Sequence, residues 1–235
     1  MTMFGSQWLA SAGSTALTLD YTSNKSVAAS ATTTWAGNFD GMAIGAADST
    51  RLVVAGISGS RAAGGDHLVS ACTIGGETAS LVVRQTTTNG EPAELWAATV
   101  PTGTTADVDI TFSATCNKAG VGLWRLTNAA TTATETASDS GGIPYAANLE
   151  IPEDGVGIGY FLNVQEASDG GSDGNRTTWT NLTKDFDADF VGNVAGAGTN
   201  HSGASSDTEG DLLRTATPPS DRAYYSLVLA AFGPA

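Results

Sequence analysis

The chain has 235 residues, of which 24 are acidic and 10 are basic, so its formal net charge at neutral pH is -14. The phosphates of nucleic acid and an anionic membrane face would repel this charge, which argues against both as partners. Only 14% of the residues are charged, whereas glycine, alanine, serine and threonine are abundant. This composition favours short strands and many turns in one domain, because the residues that cover exposed helix faces are scarce.

The start of the chain predicts where the protein is made. Residues 1–14 contain neither the positive region nor the apolar stretch of a secretion signal, and no segment approaches the ~20 apolar residues of a membrane span. We therefore expect synthesis in the cytoplasm without a signal peptide, and no membrane insertion. We treat residues 1–16 as an N-terminal segment and residues 17–235 as a single domain.

In the first half of the chain, apolar and polar residues alternate in runs bounded by turn residues, which is typical of half-buried strands. Gly75-Gly76 predicts a two-residue hairpin turn because both glycines can adopt a positive φ. Pro101-Thr102-Gly103 predicts a second turn. After it, Val108 and Phe112 would face the core while Asp109 faces solvent. The predicted strands are 17–21, 51–58, 67–74, 77–85, 93–100, 108–112 and 119–127.

The second half continues the pattern, with a turn predicted at Asp154-Gly155. About a dozen strands at this spacing predict an all-β antiparallel sandwich, jelly-roll-like, with little or no helix. Two segments rich in glycine and serine, 166–175 and 196–210, are predicted to be flexible surface loops at one end. The further predicted strands are 147–151, 156–164, 177–184, 190–195, 212–217 and 223–232.

Few residues could support nucleophilic catalysis. Cys72 and Cys116 are the only cysteines; they are expected to be small buried side chains rather than a bridge, although the sequence does not decide their pairing. His67 and His201 are the only histidines. His201 lies in the glycine-rich stretch Asn-His-Ser-Gly, so we expect it to be a solvent-exposed loop residue.

A pair of carboxylates could hydrolyse glycosides, and the stretch KDFDADF offers three. On a strand, Asp185, Asp187 and Asp189 would share one face, with Phe186 and Phe190 on the other. Three like charges in a row are more typical of a solvated face than of a catalytic pair. We therefore expect a protein that is not an enzyme.

One stretch could bind Ca²⁺. Asp169, Asp173 and Asn175 supply hard oxygen ligands on a glycine-rich turn, which is the kind of loop that this ion uses. The spacing differs from that of an EF-hand and lacks its closing glutamate, so a turn decorated with Asp and Asn is the competing interpretation. No other cofactor signature is present.

The tryptophans divide by their surroundings. Trp96 and Trp124 lie in predicted strands and should fill the core. Trp8 and Trp35 lie in irregular sequence, where an aromatic side chain must still be buried against something. We therefore predict partner contacts by Phe4, Trp8, Leu9 and Trp35.

Five stretches, taken together in their order, resemble a group of bacteriophage and gene-transfer-agent β-sandwich proteins found among head and tail structural components. They are RLVVAGISG, CTIGGETASLVV, AELWAATVPTGTTADVDITFSAT, GVGLWRLTNA and YYSLVLAAFGPA. The resemblance covers roughly residues 50 to 127 and the last dozen. It includes no catalytic motif.

The resemblance implies a virion component, either a capsid decoration or head-fibre protein or a tail-associated one. Its expected partners are capsid or tail proteins and copies of itself, with a trimer favoured. The alternative is a carbohydrate-binding or host-adhesion module that grips a host surface glycan through loop aromatics such as Trp179, with Ca²⁺ as a possible aid.

Overall fold

A computed structural model describes residues 16–61, 66–165, 177–190, 199–218 and 223–235. The protein is all-β, and these residues form seventeen strands and no helix. This confirms the predicted fold class. None of the described residues belongs to a helix that could span a membrane.

The strands run in chain order, and four of them have only two or three residues. They are β1 (Thr18–Thr34), β2 (Met42–Ala43), β3 (Leu52–Arg61), β4 (Val69–Ile74), β5 (Glu77–Thr78), β6 (Ser80–Thr86), β7 (Pro92–Thr99), β8 (Thr105–Ala106), β9 (Val108–Thr127), β10 (Glu135–Asp139), β11 (Tyr145–Ile151), β12 (Val156–Gln165), β13 (Thr178–Thr180), β14 (Thr183–Asp189), β15 (Thr199–Ser206), β16 (Gly210–Thr217) and β17 (Ala223–Phe232).

The strands pair antiparallel in four sheets. The first sheet has seven strands in the order β5-β4-β9-β3-β7-β6, with β1 also paired to β9. The second has the order β10-β17-β12-β15-β14, and the third is β11-β16-β13. A small pair, β2-β8, accompanies the first sheet.

The second sheet is the middle layer and is buried on both faces. Ile158 and Val228 point toward the first sheet, whereas Phe161 and Leu229 on the same two strands point toward the third sheet. This explains why β12 and β17 are nearly continuous apolar runs, since both faces of a covered strand are apolar. The other face of the first sheet encloses a core of its own around Trp35 and Phe112.

Several local predictions are confirmed. Gly75 and Gly76 have φ of 61° and 82° and link β4 to β5. Val108 and Phe112 are buried, while Asp109 between them is only half-buried. Several strand bounds differ from the prediction. The predicted strands 77–85 and 177–184 each cover parts of two strands, β5 with β6 and β13 with β14. The predicted strand 17–21 is the start of the 17-residue β1, and the predicted strands 108–112 and 119–127 are parts of the single 20-residue β9.

The prediction of a surface loop at 196–210 is wrong for most of its length. Thr199–Ser206 forms β15, an interior strand of the second sheet between β12 and β14. The glycine, serine and alanine content that suggested a loop has a packing reason. A Cβ atom on Gly203 would collide with the rings of Phe186 and Trp124, so this position must carry no side chain.

Gly203 belongs to a set of glycines at the boundary between the first and second sheets. At each one, an aromatic ring or the His201 imidazole occupies the place where a Cβ atom would lie. We call these residues the glycine floor, because rings rest directly on their backbone. They are Gly56 under Tyr160, Gly120 under Phe190 and His201, Gly122 under Phe186, and Gly203 under Phe186 and Trp124.

We expect Gly203→Ala to lower the free energy of unfolding by about 1–3 kcal/mol, because the added methyl group overpacks this boundary. Chemical denaturation measures the change. Gly142→Ala is the matched control, because a Cβ atom on Gly142 meets nothing within 4 Å. Equal stability of the two variants would contradict the role given to the glycine floor.

A candidate binding site at the seam of two bulged strands

One side of the sandwich brings together an edge strand from each of the two larger sheets. The Tyr21 ring of β1 stacks on the Phe186 ring of β14, with centroids 5.5 Å apart and planes 22° from parallel. Trp124 meets both rings, at 6.3 Å from Tyr21 and 5.8 Å from Phe186. We call this place the seam, and define it by Tyr21, Asn24 and Ser26 of β1 and by Asp185 and Phe186 of β14.

A β-bulge in β1 determines which side chains face the seam. Tyr21 pairs with Trp124 and Ser23 with Leu123, so Thr22 is an extra residue in β1. Without it, Tyr21 and Asn24 would point to opposite faces, because successive side chains of a strand alternate. With it, Tyr21, Asn24 and Ser26 lie on one face. The Asn24 Nδ2 group donates a hydrogen bond of 2.5 Å to the Tyr21 hydroxyl.

A second bulge lies in β14, directly across the seam. Lys184 pairs with Ala204 and Phe186 with Gly203, which leaves Asp185 as the extra residue. Asp185 therefore shares a side with Phe186, and its Oδ2 accepts a 2.7 Å hydrogen bond from Trp124 Nε1. The prediction that Asp185 and Phe186 lie on opposite faces is wrong for this reason. Bulges often re-aim side chains in this way beside functional sites.

The two ionisable groups at the mouth of the seam are both perturbed by burial. Partial burial raises the pKa of the Tyr21 hydroxyl, and the nearby Asp185 carboxylate raises it further. The pKa of Asp185 is also raised by burial, against hydrogen bonds from Trp124 and Ser205 that lower it. Perturbed groups that cluster at one surface position are a physical indicator of a binding or catalytic site.

From the seam, a chain of hydrogen bonds runs into the core. Ser26 Oγ lies 2.9 Å from His201 Nε2, and His201 Nδ1 lies 3.0 Å from the Tyr160 hydroxyl. The Tyr160 hydroxyl in turn lies 2.7 Å from Ser58 Oγ. Ser26 and Ser58 stand on either side of Gly120 on neighbouring strands, which places both hydroxyls above the glycine floor.

The expectation that His201 is an exposed loop residue is wrong. Its side chain is fully buried, in β15, with its ring stacked on Phe190 at 5.3 Å. Burial lowers the pKa of His201 to about 3. Glycines at 120 and 203 leave the room that this ring and its aromatic neighbours occupy.

The Ser26 and His201 pair has the spacing of a nucleophile and its base, but its surroundings oppose catalysis. A base must accept a proton near the working pH, and efficiency is greatest when its pKa lies close to that pH. Transfer of the Ser26 proton would place a positive charge on a fully buried imidazole. The partner on Nδ1 is the Tyr160 hydroxyl and not a carboxylate that would stabilise this charge. These features support a structural role for the pair.

Other buried ionisable groups also have structural partners. Glu94 accepts hydrogen bonds from the Val69 amide, from Arg84 and from Trp96 Nε1. Cys72 and Cys116 are free and buried, as predicted, and burial raises the pKa of each thiol to about 12. A thiol with so high a pKa has almost no thiolate at neutral pH, which makes it unreactive.

A buried arginine holds the loops at the far end of the first sheet. The Arg51 guanidinium donates to the carbonyl oxygens of Gly45, Ala46, Val100, Thr102 and Gly103. It therefore joins the turn predicted at Pro101-Thr102-Gly103 to the segment that follows β2.

The structure places the predicted core tryptophans as expected, because Trp96 and Trp124 are both buried. Trp35 is also fully buried, where it packs against Phe39 and Phe112. This corrects its predicted role as a partner contact, since its side chain has no exposed surface. The remaining docking candidates and the Ca²⁺ candidates lie outside the described residues: Phe4, Trp8, Leu9, Asp169, Asp173 and Asn175.

Two further features bear on the predicted ligands. Trp179 is partly buried in the third core cluster, and its Nε1 donates 2.9 Å to Ser202 Oγ. In the part of the chain that the structure describes, no group of three or more His, Cys, Asp or Glu side chains could hold a metal ion.

Sequence reasoning did not identify the seam. Its members are distant in the chain, with Tyr21, Asn24 and Ser26 near the start and Asp185 and Phe186 in the last quarter. The stretch KDFDADF indicates carboxylates beside aromatic rings, but alternation places Asp185 and Phe186 on opposite faces. The bulge at Asp185 puts them on the same side. Comparison of the chain with protein-family models, with curated proteins and with solved structures found no match.

Stability should fall in acid because of His201. Its pKa is about 3 in the folded protein, whereas an unperturbed histidine side chain has a pKa of 6.5, so between these values the unfolded chain binds more protons. The contribution of neutral His201 to the free energy of unfolding is complete above pH 6.5 and is lost as the pH falls toward 3. The loss is at most about 5 kcal/mol for a shift of this size.

Denaturation at several pH values, on wild type and His201→Gln, measures this contribution. Groups such as Glu94 and Asp185 titrate in both proteins, so the difference between the two profiles isolates the imidazole. We expect the wild-type free energy of unfolding to fall more steeply below pH 6.5. Parallel profiles would contradict the assignment of a buried neutral His201.

Proposed function

We propose that this chain is a non-enzymatic structural protein of a virus particle, of the capsid decoration or head-fibre type, which docks on neighbouring subunits through β1. The observation that carries this proposal is the open edge of β1. In the described part of the chain, this 17-residue strand pairs with β9 and with no other strand.

An edge strand of this length exposes a row of backbone N–H and C=O groups that can pair with another chain. Proteins that must stay monomeric usually protect such an edge with charged residues. Strand β1 has only two charged residues among its 17, Asp20 and Lys25, and the rest are mostly serine, threonine and alanine. Its length and low charge favour strand addition by a neighbouring subunit.

The rest of the structure supports a role that depends on surface presentation. Three stacked sheets form a scaffold in which the buried Arg51, Glu94 and His201 bind backbone or core partners. The stretches that carry the resemblance to phage β-sandwich proteins lie mostly in the core strands β3, β4, β7, β9 and β17, and one of them extends into the edge strand β6. The acidic surplus keeps such a protein soluble until it assembles.

We expect the purified chain to form a homo-oligomer, with a trimer favoured, and Ala28→Lys with Ala31→Lys to convert it to a monomer. Both alanines are exposed on β1, where added charge opposes strand pairing. Light scattering after size exclusion measures the mass. The matched control, Ala47→Lys with Thr88→Lys, adds the same charge at exposed positions outside the strands. An unchanged mass for the β1 variant would contradict docking between copies through this edge.

The virion proposal itself is tested on particles. Mass spectrometry of purified particles from cells that carry this gene should find the chain in a constant ratio to the major shell protein. The β1 double-lysine variant should be depleted from the particles, while the loop control is retained. Particles that lack the wild-type chain would contradict the proposal.

A further inference from the structure

The mouth of the seam combines an aromatic ring with polar groups that converge on one position. Tyr21 and Asp185 are partly exposed, and Asn24 is exposed. Phe186 covers one face of the Tyr21 ring at 5.5 Å. Because Phe186 covers this face, a ligand can reach the Tyr21 ring only from its opposite face or its edge.

We propose that the seam is a binding site for a neutral saccharide, formed by Tyr21, Asn24 and Asp185. The apolar face of a sugar ring, with its C–H groups, packs on an aromatic face, while the hydroxyls around the sugar need adjacent donors and acceptors. A site of this type needs an apolar platform and a few polar groups in fixed positions. The seam contains both.

Hydrogen-bonding capacity remains at each polar group. The Tyr21 hydroxyl accepts from Asn24 Nδ2, which leaves its own proton to donate. Asn24 keeps its Oδ1 as an acceptor. Asp185 accepts from Trp124 Nε1 at Oδ2 and also from Ser205, and a carboxylate has about four lone-pair sites, so further sites remain. Since a sugar hydroxyl both donates and accepts, neighbouring hydroxyls match this mixture.

The negative charge at and around the seam favours a neutral ligand over an acidic one. The Asp185 carboxylate and the net charge of -14 would repel an acidic saccharide. Arg125, on the strand beside Tyr21, is paired with Asp20 at 2.8 Å. Lys184, next to Asp185, lies 3.7 Å from Asp187. Both cations thus have carboxylate partners, and neither is left to attract an anion.

The site is also held in place before any ligand binds. The bulges at Thr22 and Asp185 orient the polar groups, and Phe186 rests on the backbone of Gly122 and Gly203. The bond from Trp124 fixes the carboxylate. A preorganised site loses little conformational entropy on binding, which matters for a ligand with few contacts.

This inference does not depend on the proposed virion role. The seam uses side chains that point from β1 toward β14, whereas strand docking uses the backbone groups on the outer edge of β1. The aromatic platform in this proposal is Tyr21 and not Trp179. Trp179 packs against the third core cluster, and its Nε1 donates a hydrogen bond to Ser202.

The test uses the full chain and sensor surfaces that each carry one oligosaccharide, composed of glucose, galactose, mannose or N-acetylglucosamine. We expect wild type to bind at least one surface. Tyr21→Ala and Asn24→Ala should each lower the affinity about tenfold or more, as for the loss of one good contact. Tyr21→Phe keeps the platform and should lose less. Asn38→Ala changes a half-buried asparagine between β1 and β2, away from the seam, and should bind like wild type.

Folding is monitored for every variant by denaturation. Asn24 is exposed, so its substitution keeps the test informative even if Tyr21→Ala unfolds. Failure of wild type to bind any of the four surfaces overturns the proposal, as does binding that neither Tyr21→Ala nor Asn24→Ala weakens. The β1 double-lysine variant should still bind the saccharide, so failure of the docking role and failure of this site give different results.

Discussion

Aromatic rings that rest directly on glycine backbone determine how the two larger sheets of this protein meet. At Gly56, Gly120, Gly122 and Gly203, rings and an imidazole occupy the space of the missing side chains. Interiors are packed as densely as organic crystals, so an added methyl group here has nowhere to go. The spacing of the sheets, the burial of His201 and the position of the seam all depend on this contact.

The same packing explains the unusual polar chain in the core. Ser26, His201, Tyr160 and Ser58 lie where glycines leave room, and each polar group reaches another. Buried polar groups are tolerated when they are hydrogen-bonded, and a complete network also specifies one register of the two sheets. The chain of hydrogen bonds thus links the core to the seam, since Ser26 belongs to both.

The seam arises from two edge strands that each have a β-bulge at this position. The extra Thr22 places Tyr21 and Asn24 on one face of β1. The extra Asp185 lies with Phe186 on the side of β14 that faces them. A strand edge normally offers only backbone groups. Here it also offers an aromatic platform with an amide and a carboxylate, so one side of the sandwich presents two chemically distinct surfaces.

The sequence by itself determined the all-β class, most strand positions and the turns at Gly75-Gly76 and Asp154, because alternation and turn residues are local signals. It also predicted Trp96, Trp124 and both cysteines as buried. Only the tertiary structure decided that β15 is an interior strand, that Trp35 and His201 are buried, and that Asp185 faces the seam. Glycine and serine indicate a loop when their packing partners are unknown. The ring that rests on Gly122 belongs to Phe186, far along the chain, and no local pattern contains a contact between residues so distant in sequence.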